Sequence, residues 1–172
     1  ACPEAALTLM EKGITRDPAA CTGCRSCEEV CPALAHEGTG RQMTLDEVMD
    51  QIKKDIAFYD QSGGGVTVSG GEPLMQAWFL KALLTACRAL GIHTTVDTTA
   101  HADSETLMEI ADLTDLFLID LKHMDSAVHK KFTGVSNDQI LENIRRLCGS
   151  KAAVRFRVPL ISGVNAGDDN LA

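Results

Sequence analysis

The chain has 172 residues, 45% of them hydrophobic, which suffices for one ordinary domain or for a small module joined to most of another. Its 24 acidic residues outnumber its 16 basic ones and give a net charge of -8, which opposes binding to a nucleic-acid phosphate backbone. No apolar run approaches the roughly 20 residues of a membrane span and no secretory leader opens the sequence, so we expect a cytoplasmic protein that binds neither nucleic acid nor membrane.

The first 38 residues are predicted to form a small module that a bound metal holds together. They contain five of the seven cysteines but little periodic apolar sequence, and such a composition buries too little surface to fold alone. Three of the cysteines stand at two-residue spacings, which is typical of metal clusters and not of a secreted disulfide scaffold. Reduced thiols that ligate metal are therefore the better interpretation.

A bacterial ferredoxin motif, Cys-x2-Cys-x2-Cys-x3-Cys-Pro, begins at Cys21. Its two-residue gaps let one loop place Cys21, Cys24 and Cys27 around a 4Fe-4S cluster. In two-cluster ferredoxins the last cysteine of the run ligates the other cluster, which assigns Cys31 to a second cluster and makes Cys2 the fourth ligand of the first. A zinc site and thiols without metal are the alternatives, although zinc usually takes paired Cys-x2-Cys units with a long gap between them.

After the module, predicted helices and strands alternate. A helix is predicted over 44–60, with Thr44 as its N-cap and Glu47 as its capping-box partner. The later strands are predicted at 65–69, 93–98, 116–121 and 154–160, and the later helices at 76–90, 104–111, 126–132 and 137–147. This alternation predicts an α/β fold with a parallel sheet, either a barrel or an open doubly wound sheet.

The two cysteines outside the module are predicted to have no chemical role. Cys87 and Cys148 lie on apolar faces of predicted helices, where cysteine usually serves as a small buried hydrophobe. The histidines show no metal-ligand spacing, so we expect surface or packing roles for all five: His36, His93, His101, His123 and His129.

A glycine turn follows the first strand of the predicted sheet and contains Ser69, Gly70, Gly71 and Glu72. Glycines there let the backbone approach a ligand closely, because no Cβ intervenes. A simple tight turn is the alternative, and Glu72 either caps the next helix or holds a ligand amine.

Ionisable residues stand near the carboxyl ends of the later strands: Asp97, the pair Asp120 and Lys122, and Arg157. In barrels of this kind the chemistry lies where the strands end, and residues two apart on a strand project to the same side. A shared pocket is the economical explanation, although Asp97 alone fits a turn and Asp120 with Lys122 alone fits an internal salt bridge.

Several stretches together resemble the glycyl-radical-enzyme activating enzymes of the radical S-adenosylmethionine superfamily, the pyruvate formate-lyase activase group. The ferredoxin segment resembles an insert that many of these activases carry. The resemblance implies a ferredoxin-like 4Fe-4S segment over 1–38 and the central part of a partial (β/α) barrel over 39–172. The matching stretches are GGGVTVSGGEPLMQ at 63–76, VDTT at 96–99, LFLIDLK at 116–122, HKKFTGVSN at 129–137 and RVPLISGVN at 157–165.

The resemblance also implies a role for individual residues in binding S-adenosylmethionine. The turn would hold the amino group of the methionyl part through its backbone, with Gly71 as the most direct contact. In the family, a reduced cluster cleaves the cofactor to a 5'-deoxyadenosyl radical, which abstracts hydrogen from a glycine of the partner enzyme. A flavodoxin or ferredoxin-type donor would supply the electron. The implied cofactor-binding residues are Ser69, Gly70, Gly71, Glu72, Asp97, Asp120, Leu121, Lys122 and Arg157.

Two features depart from the family pattern. The Cys-x3-Cys-x2-Cys motif that holds the catalytic cluster does not occur in the sequence, and Ser162 stands where the family usually has proline. We expect that the motif would lie upstream of Ala1, that the chain is a fragment, and that the fragment alone activates nothing. No residue is therefore predicted to be catalytic in this chain.

Two other functions compete with this hypothesis. In the first, the ferredoxin segment is an electron-transfer module and the barrel is a docking scaffold. In the second, the protein is another radical enzyme that acts on a small molecule, against which the stretch at 129–137 argues.

Overall fold

The computed structural model describes residues 2–38 and 40–171 of the chain and forms two compact units, Ala1–Met43 and Thr44–Ala172. The boundary predicted from the sequence lies after residue 38. None of the helices in the described part of the chain has the length and hydrophobicity that a membrane crossing needs.

The first unit contains a β-hairpin that the sequence analysis did not predict. Strands β1 (Leu7–Met10) and β2 (Gly13–Arg16) pair antiparallel, and Gly13 at the turn has a φ of 134°. The short helix α1 (Ser26–Glu29) follows within the cysteine run. Both hairpin strands are only four residues long and largely exposed, so they give too short an apolar–polar alternation to be recognised as strands.

The second unit is an α/β domain around a parallel sheet, as predicted. The strands stand in chain order, β3-β4-β5-β6, and each pairs parallel with the next. The elements are α2 (Leu45–Lys53), α3 (Ile56–Ser62), β3 (Gly65–Val68), a 3-10 turn (Pro73–Gln76), α4 (Ala77–Ala89), β4 (His93–Thr98), α5 (Ser104–Ala111), β5 (Leu116–Asp120), α6 (Ser126–Thr133), α7 (Asp138–Cys148), β6 (Ala153–Arg157) and α8 (Asp168–Leu171).

The helix predicted over 44–60 is two helices. The predicted capping box is present, because Thr44 Oγ1 accepts from the Glu47 N–H at 3.3 Å and Glu47 Oε2 accepts from the Thr44 N–H at 2.7 Å. The chain leaves helical geometry at Asp55, where φ is -101° and ψ is 4°. Residues on both sides of this break pack into one apolar cluster, so the helical spacing of apolar residues continues across the break and conceals it.

The cysteines of the helices differ from each other. Cys87 is fully buried in the apolar cluster beside Met49, as predicted, and burial raises the pKa of its thiol. Cys148 is exposed, so the prediction that it is buried was wrong. It is the last residue of α7 and directly follows the buried Leu147, which places it on the solvent side of the helix end.

Candidate functional site

The carboxyl ends of the four parallel strands bring the predicted polar residues together at one edge of the sheet. Asp120 is the register partner of Arg157 on β6, and Asp97 is the partner of Leu118 on β5. Ser69 follows β3 directly, and Lys122 lies two residues beyond Asp120. All five side chains join one continuous hydrogen-bonded network.

Arg157 is the centre of this network because it bridges two strands. Its Nε donates to Asp120 Oδ1 at 2.8 Å, and its terminal nitrogen donates to Asp97 Oδ1. These ion pairs raise the pKa of Arg157, chiefly through the hydrogen bond to Asp120. The Arg157 side chain is 43% exposed and therefore remains accessible to a ligand.

Lys122 and Ser69 complete the network at its two ends. Lys122 Nζ lies 2.7 Å from Asp120 Oδ2, and Ser69 Oγ donates to Asp97 Oδ2 at 3.3 Å. Two carboxylates thus pair with two cations in this network, so the strand ends present groups of both signs of charge. Such a surface suits a zwitterionic ligand.

The salt bridges change the ionisation of Asp120. Burial acts to raise the pKa of this carboxyl, but hydrogen bonds and charges from Lys122 and Arg157 outweigh it and hold the pKa below its usual range. A carboxylate whose pKa is lower in the folded state stabilises the fold above its unfolded pKa, and this contribution is lost as the pH falls through the folded value.

We expect the stability that Asp120 contributes to decrease as the pH falls. The variant Asp120→Asn should unfold at a lower temperature than the wild-type chain at about pH 7, and the difference should shrink as the pH falls below about 4. Thermal unfolding followed by circular dichroism measures this. The variant Asp112→Asn is the control, because Asp112 caps α5 through its backbone groups and lies outside the network. A constant difference in Tm across this pH range would contradict the assignment.

The glycine turn leaves open space beside the strand ends. Gly70 has a φ of 106°, a conformation that favours glycine, and a Cβ built on either Gly70 or Gly71 would meet no atom within 4 Å. The backbone of the turn can therefore be approached closely by a ligand.

Glu72 fixes this turn to the end of β4. Its Oε1 accepts from the Leu74 N–H at 3.2 Å and from Thr98 Oγ1, and its Oε2 accepts from the N–H and Oγ1 of Thr99 at 3.0 and 2.7 Å. Of the two predicted roles, the structure shows the capping one, because Glu72 is the N-cap of the 3-10 turn. Since its carboxylate oxygens are engaged within the protein, Glu72 holds the turn in place.

Leu121 takes part in this edge through its backbone. Its N–H donates to the carbonyl oxygen of Arg157 at 2.9 Å, which continues the pairing of β5 and β6 beyond their last residues. This bond holds Asp120 and Lys122 next to Arg157.

Buried asparagines support the same edge, a role that their sequence positions alone do not indicate. The side-chain amide of Asn143 donates to the carbonyls of Ala100 and Ala102 in the loop after β4, each at 2.8 Å. Asn137 and Asn165 bond the loops after β5 and β6 in the same way. The only sequence signal is that Asn137 and Asn165 end two of the family-like stretches.

In the first unit, four of the predicted cluster ligands surround one cavity of about 410 Å³: Cys2, Cys21, Cys24 and Cys27. Cys31 instead lines a neighbouring cavity of about 380 Å³, together with Cys2 and Cys27. All are free thiols, and within residues 2–38 and 40–171 no three potential ligands lie close enough to hold a single metal ion.

Two of these thiols have lowered pKa values, which favours the thiolate that metals bind. The hydrogen bond to Ser26 lowers the pKa of Cys24, and the backbone N–H of Ala35 lowers the pKa of Cys31. Both thiols lie within the ferredoxin-like run.

Comparison with known proteins gives consistent matches. The family model for the radical SAM superfamily matches residues 18–172. The (2S)-3-sulfopropanediol dehydratase activating enzyme of Klebsiella oxytoca is 42% identical over 145 residues, which cover 84% of this chain and 46% of that protein. Three further curated relatives that match at 42–44% identity are also activating enzymes, and the chain spans about half of the length of each.

Two solved structures are also similar to the chain. A domain of the pyruvate-formate lyase-activating enzyme from Bacteroides vulgatus is 49% identical, with a TM-score of 0.59 and coverage of 63% of this chain and 67% of that one. SuiB of Streptococcus suis, in a structure with bound S-adenosylmethionine, has a TM-score of 0.53. That match covers 70% of this chain and 29% of SuiB at 21% identity, so it shows a likeness of fold alone.

Proposed function

The chain belongs to the radical SAM superfamily, and we propose that it carries the cofactor-binding part of an activating enzyme that generates a glycyl radical on a partner enzyme. Enzymes of this superfamily use S-adenosylmethionine and an iron–sulfur cluster. Curated relatives that are 42–44% identical to the chain are activating enzymes.

The observation that carries the proposal is the network at the strand ends beside the open glycine turn. The methionyl part of S-adenosylmethionine is a zwitterion next to a sulfonium, and the strand ends offer two carboxylates and two cations. In this proposal Lys122 and Arg157 face the cofactor carboxylate, Asp97 and Asp120 balance its positive groups, and the backbone of residues 69–71 approaches its amino group.

The chemistry of the proposed reaction comes from the cofactor. When bound and cleaved by one electron, S-adenosylmethionine supplies a 5'-deoxyadenosyl radical that takes hydrogen from a glycine of the partner. The proposed partners are a glycyl radical enzyme as substrate and a flavodoxin or ferredoxin-type protein as electron donor. The residues of this chain bind and orient the cofactor.

A 4Fe-4S cluster in the first unit is a further part of the proposal. The ferredoxin-like spacing and the shared cavity support Cys2, Cys21, Cys24 and Cys27 as its ligands. Cys31 is proposed as a ligand of a second cluster. The competing function, an electron-transfer module without a cofactor site, is favoured by this motif but leaves the strand-end network unexplained.

Gly71→Ala tests the cofactor site without disturbing the fold. A Cβ at this position meets no protein atom within 4 Å, so the variant should melt within about 1 °C of the wild-type chain, while the added methyl occupies the space proposed for the cofactor. We expect the affinity of the 172-residue chain for S-adenosylmethionine, measured by isothermal titration calorimetry, to fall at least about tenfold, or 1.4 kcal/mol.

Gly149→Ala is the matched control. Gly149 is the C-cap of α7 and precedes β6, so it lies near the amino end of that strand and not at the carboxyl end where the proposed site lies. A Cβ built on it makes ordinary contacts of 3.4 and 3.8 Å. The affinity of Gly149→Ala for S-adenosylmethionine should equal that of the wild-type chain. If the wild-type chain does not bind the cofactor, the proposed site is wrong and the electron-transfer function is favoured. Equal affinities in wild type and Gly71→Ala would exclude the turn from the site.

A further inference from the structure

The segment that follows β5 is held by buried asparagine side chains. Three successive carbonyl oxygens, those of Lys122, His123 and Met124, each accept a hydrogen bond from an asparagine amide at 2.8 Å. The donor is Asn165 for Lys122 and Asn137 for the other two. Because these three carbonyls are bonded within the protein, the backbone conformation of residues 122–124 is fixed, and with it the point from which the Lys122 side chain extends.

Asn165 joins this segment to the loop that follows β6. It is 2% exposed, and its Nδ2 donates both to the Lys122 carbonyl and to the Pro159 carbonyl at 2.8 Å. Its Oδ1 accepts from the Ile161 N–H at 2.7 Å. One buried side chain therefore ties the backbone of Lys122 to the chain just beyond Arg157.

Asn165 is bonded to the backbone of a residue whose side chain belongs to the charged network. The side chain of Lys122 contacts Asp120 through Nζ, while its backbone carbonyl is bonded to Asn165. Asn165 forms no hydrogen bond with the charged groups of the network, so any effect it has on the site passes through the backbone of Lys122 and of the loop after Arg157.

We propose that Asn165 is a positioning residue that sets Lys122 in the cofactor site. The proposal rests on the proposed function, since it concerns the same strand-end site. An asparagine suits this role because its amide group offers two donors and an acceptor in a rigid plane, which matches the two carbonyls and one N–H that it meets. Alanine offers none of these groups.

The test is a double-variant cycle on the affinity of the 172-residue chain for S-adenosylmethionine. We expect Asn165→Ala to weaken binding about fivefold and Lys122→Met about tenfold. If Asn165 acts through Lys122, the double variant should bind about as weakly as Lys122→Met alone, and not about fiftyfold more weakly than wild type. Leu83→Ala is the control for lost stability, because Leu83 is buried in the apolar cluster with Ile92, which precedes β4.

Each outcome decides between the alternatives. Nearly equal affinities of Lys122→Met and the double variant, with wild-type affinity in Leu83→Ala, support the positioning role. Additive losses, or the same loss in Leu83→Ala as in Asn165→Ala, mean that Asn165 only stabilises the fold and overturn the inference. Wild-type affinity in Asn165→Ala also overturns it, whereas a wild-type chain that does not bind the cofactor refutes the proposed function itself.

Discussion

Replacement of Gly65 by alanine is expected to remove most of the stability of the α/β domain. Gly65 begins β3 and is the register partner of His93 at the start of β4. A Cβ built on Gly65 would overlap the backbone carbonyl oxygen of His93, a group that cannot move unless the two strands separate. Overpacked cores lose about 1–3 kcal/mol when side chains can adjust, and a backbone clash should cost more. Since the free energy of unfolding of a whole domain is about 5–15 kcal/mol, this single methyl group should remove a large fraction of it.

Urea denaturation followed by far-ultraviolet circular dichroism measures this loss. We expect the free energy of unfolding of Gly65→Ala to fall by at least about 3 kcal/mol, or the variant to be unfolded without denaturant. Gly149→Ala again serves as the matched control, since its Cβ makes only ordinary contacts and should leave the free energy within about 0.5 kcal/mol. A midpoint of Gly65→Ala equal to that of wild type would show that β3 and β4 are not paired in this register.

The regular part of the fold was predictable because its signals are local. The strands of the sheet are short runs that contain β-branched, aliphatic or aromatic residues, and β3, β4 and β5 are each followed by turn residues and a helix with an apolar face. The meeting of Asp97, Asp120, Lys122 and Arg157 was also predictable, since parallel strands of one sheet end at the same edge. In contrast, the four-residue strands of the hairpin in the first unit are too short to give a clear pattern, and the helix break at Asp55 does not interrupt the apolar spacing.

The supporting residues of the site could not be predicted, because their role depends on contacts distant in the sequence. Asparagine is usually exposed, yet Asn143 and Asn165 are buried because each satisfies backbone carbonyls of loops that other strands bring near. The role of Glu72 also depends on residues distant in the sequence. The sequence allowed a cap or a ligand contact, and only the position of Thr98 and Thr99 across the sheet shows where its carboxylate is bonded.

Reconstitution with iron and sulfide should give one 4Fe-4S cluster per chain, and Cys24→Ser should abolish it. Serine keeps the size of cysteine but replaces the thiolate that an iron–sulfur cluster requires. Anaerobic reconstitution, followed by iron, sulfide and zinc analysis and by electron paramagnetic resonance of the reduced sample, measures the cluster. Cys148→Ser is the control, because Cys148 is an exposed thiol in the α/β domain and should leave the cluster unchanged.

Cys2→Ser and Cys31→Ser then decide which cysteine is the fourth ligand. Cys2 lines the same cavity as Cys21, Cys24 and Cys27, whereas Cys31 lines the neighbouring one. We therefore expect Cys2→Ser to lose the cluster and Cys31→Ser to keep it. The opposite result would mean that the four cysteines of the run ligate one cluster among themselves. If the wild-type chain contains zinc and no sulfide, the cysteines form a zinc site and not an iron–sulfur cluster. The strand-end network would then be the remaining support for the activating-enzyme proposal.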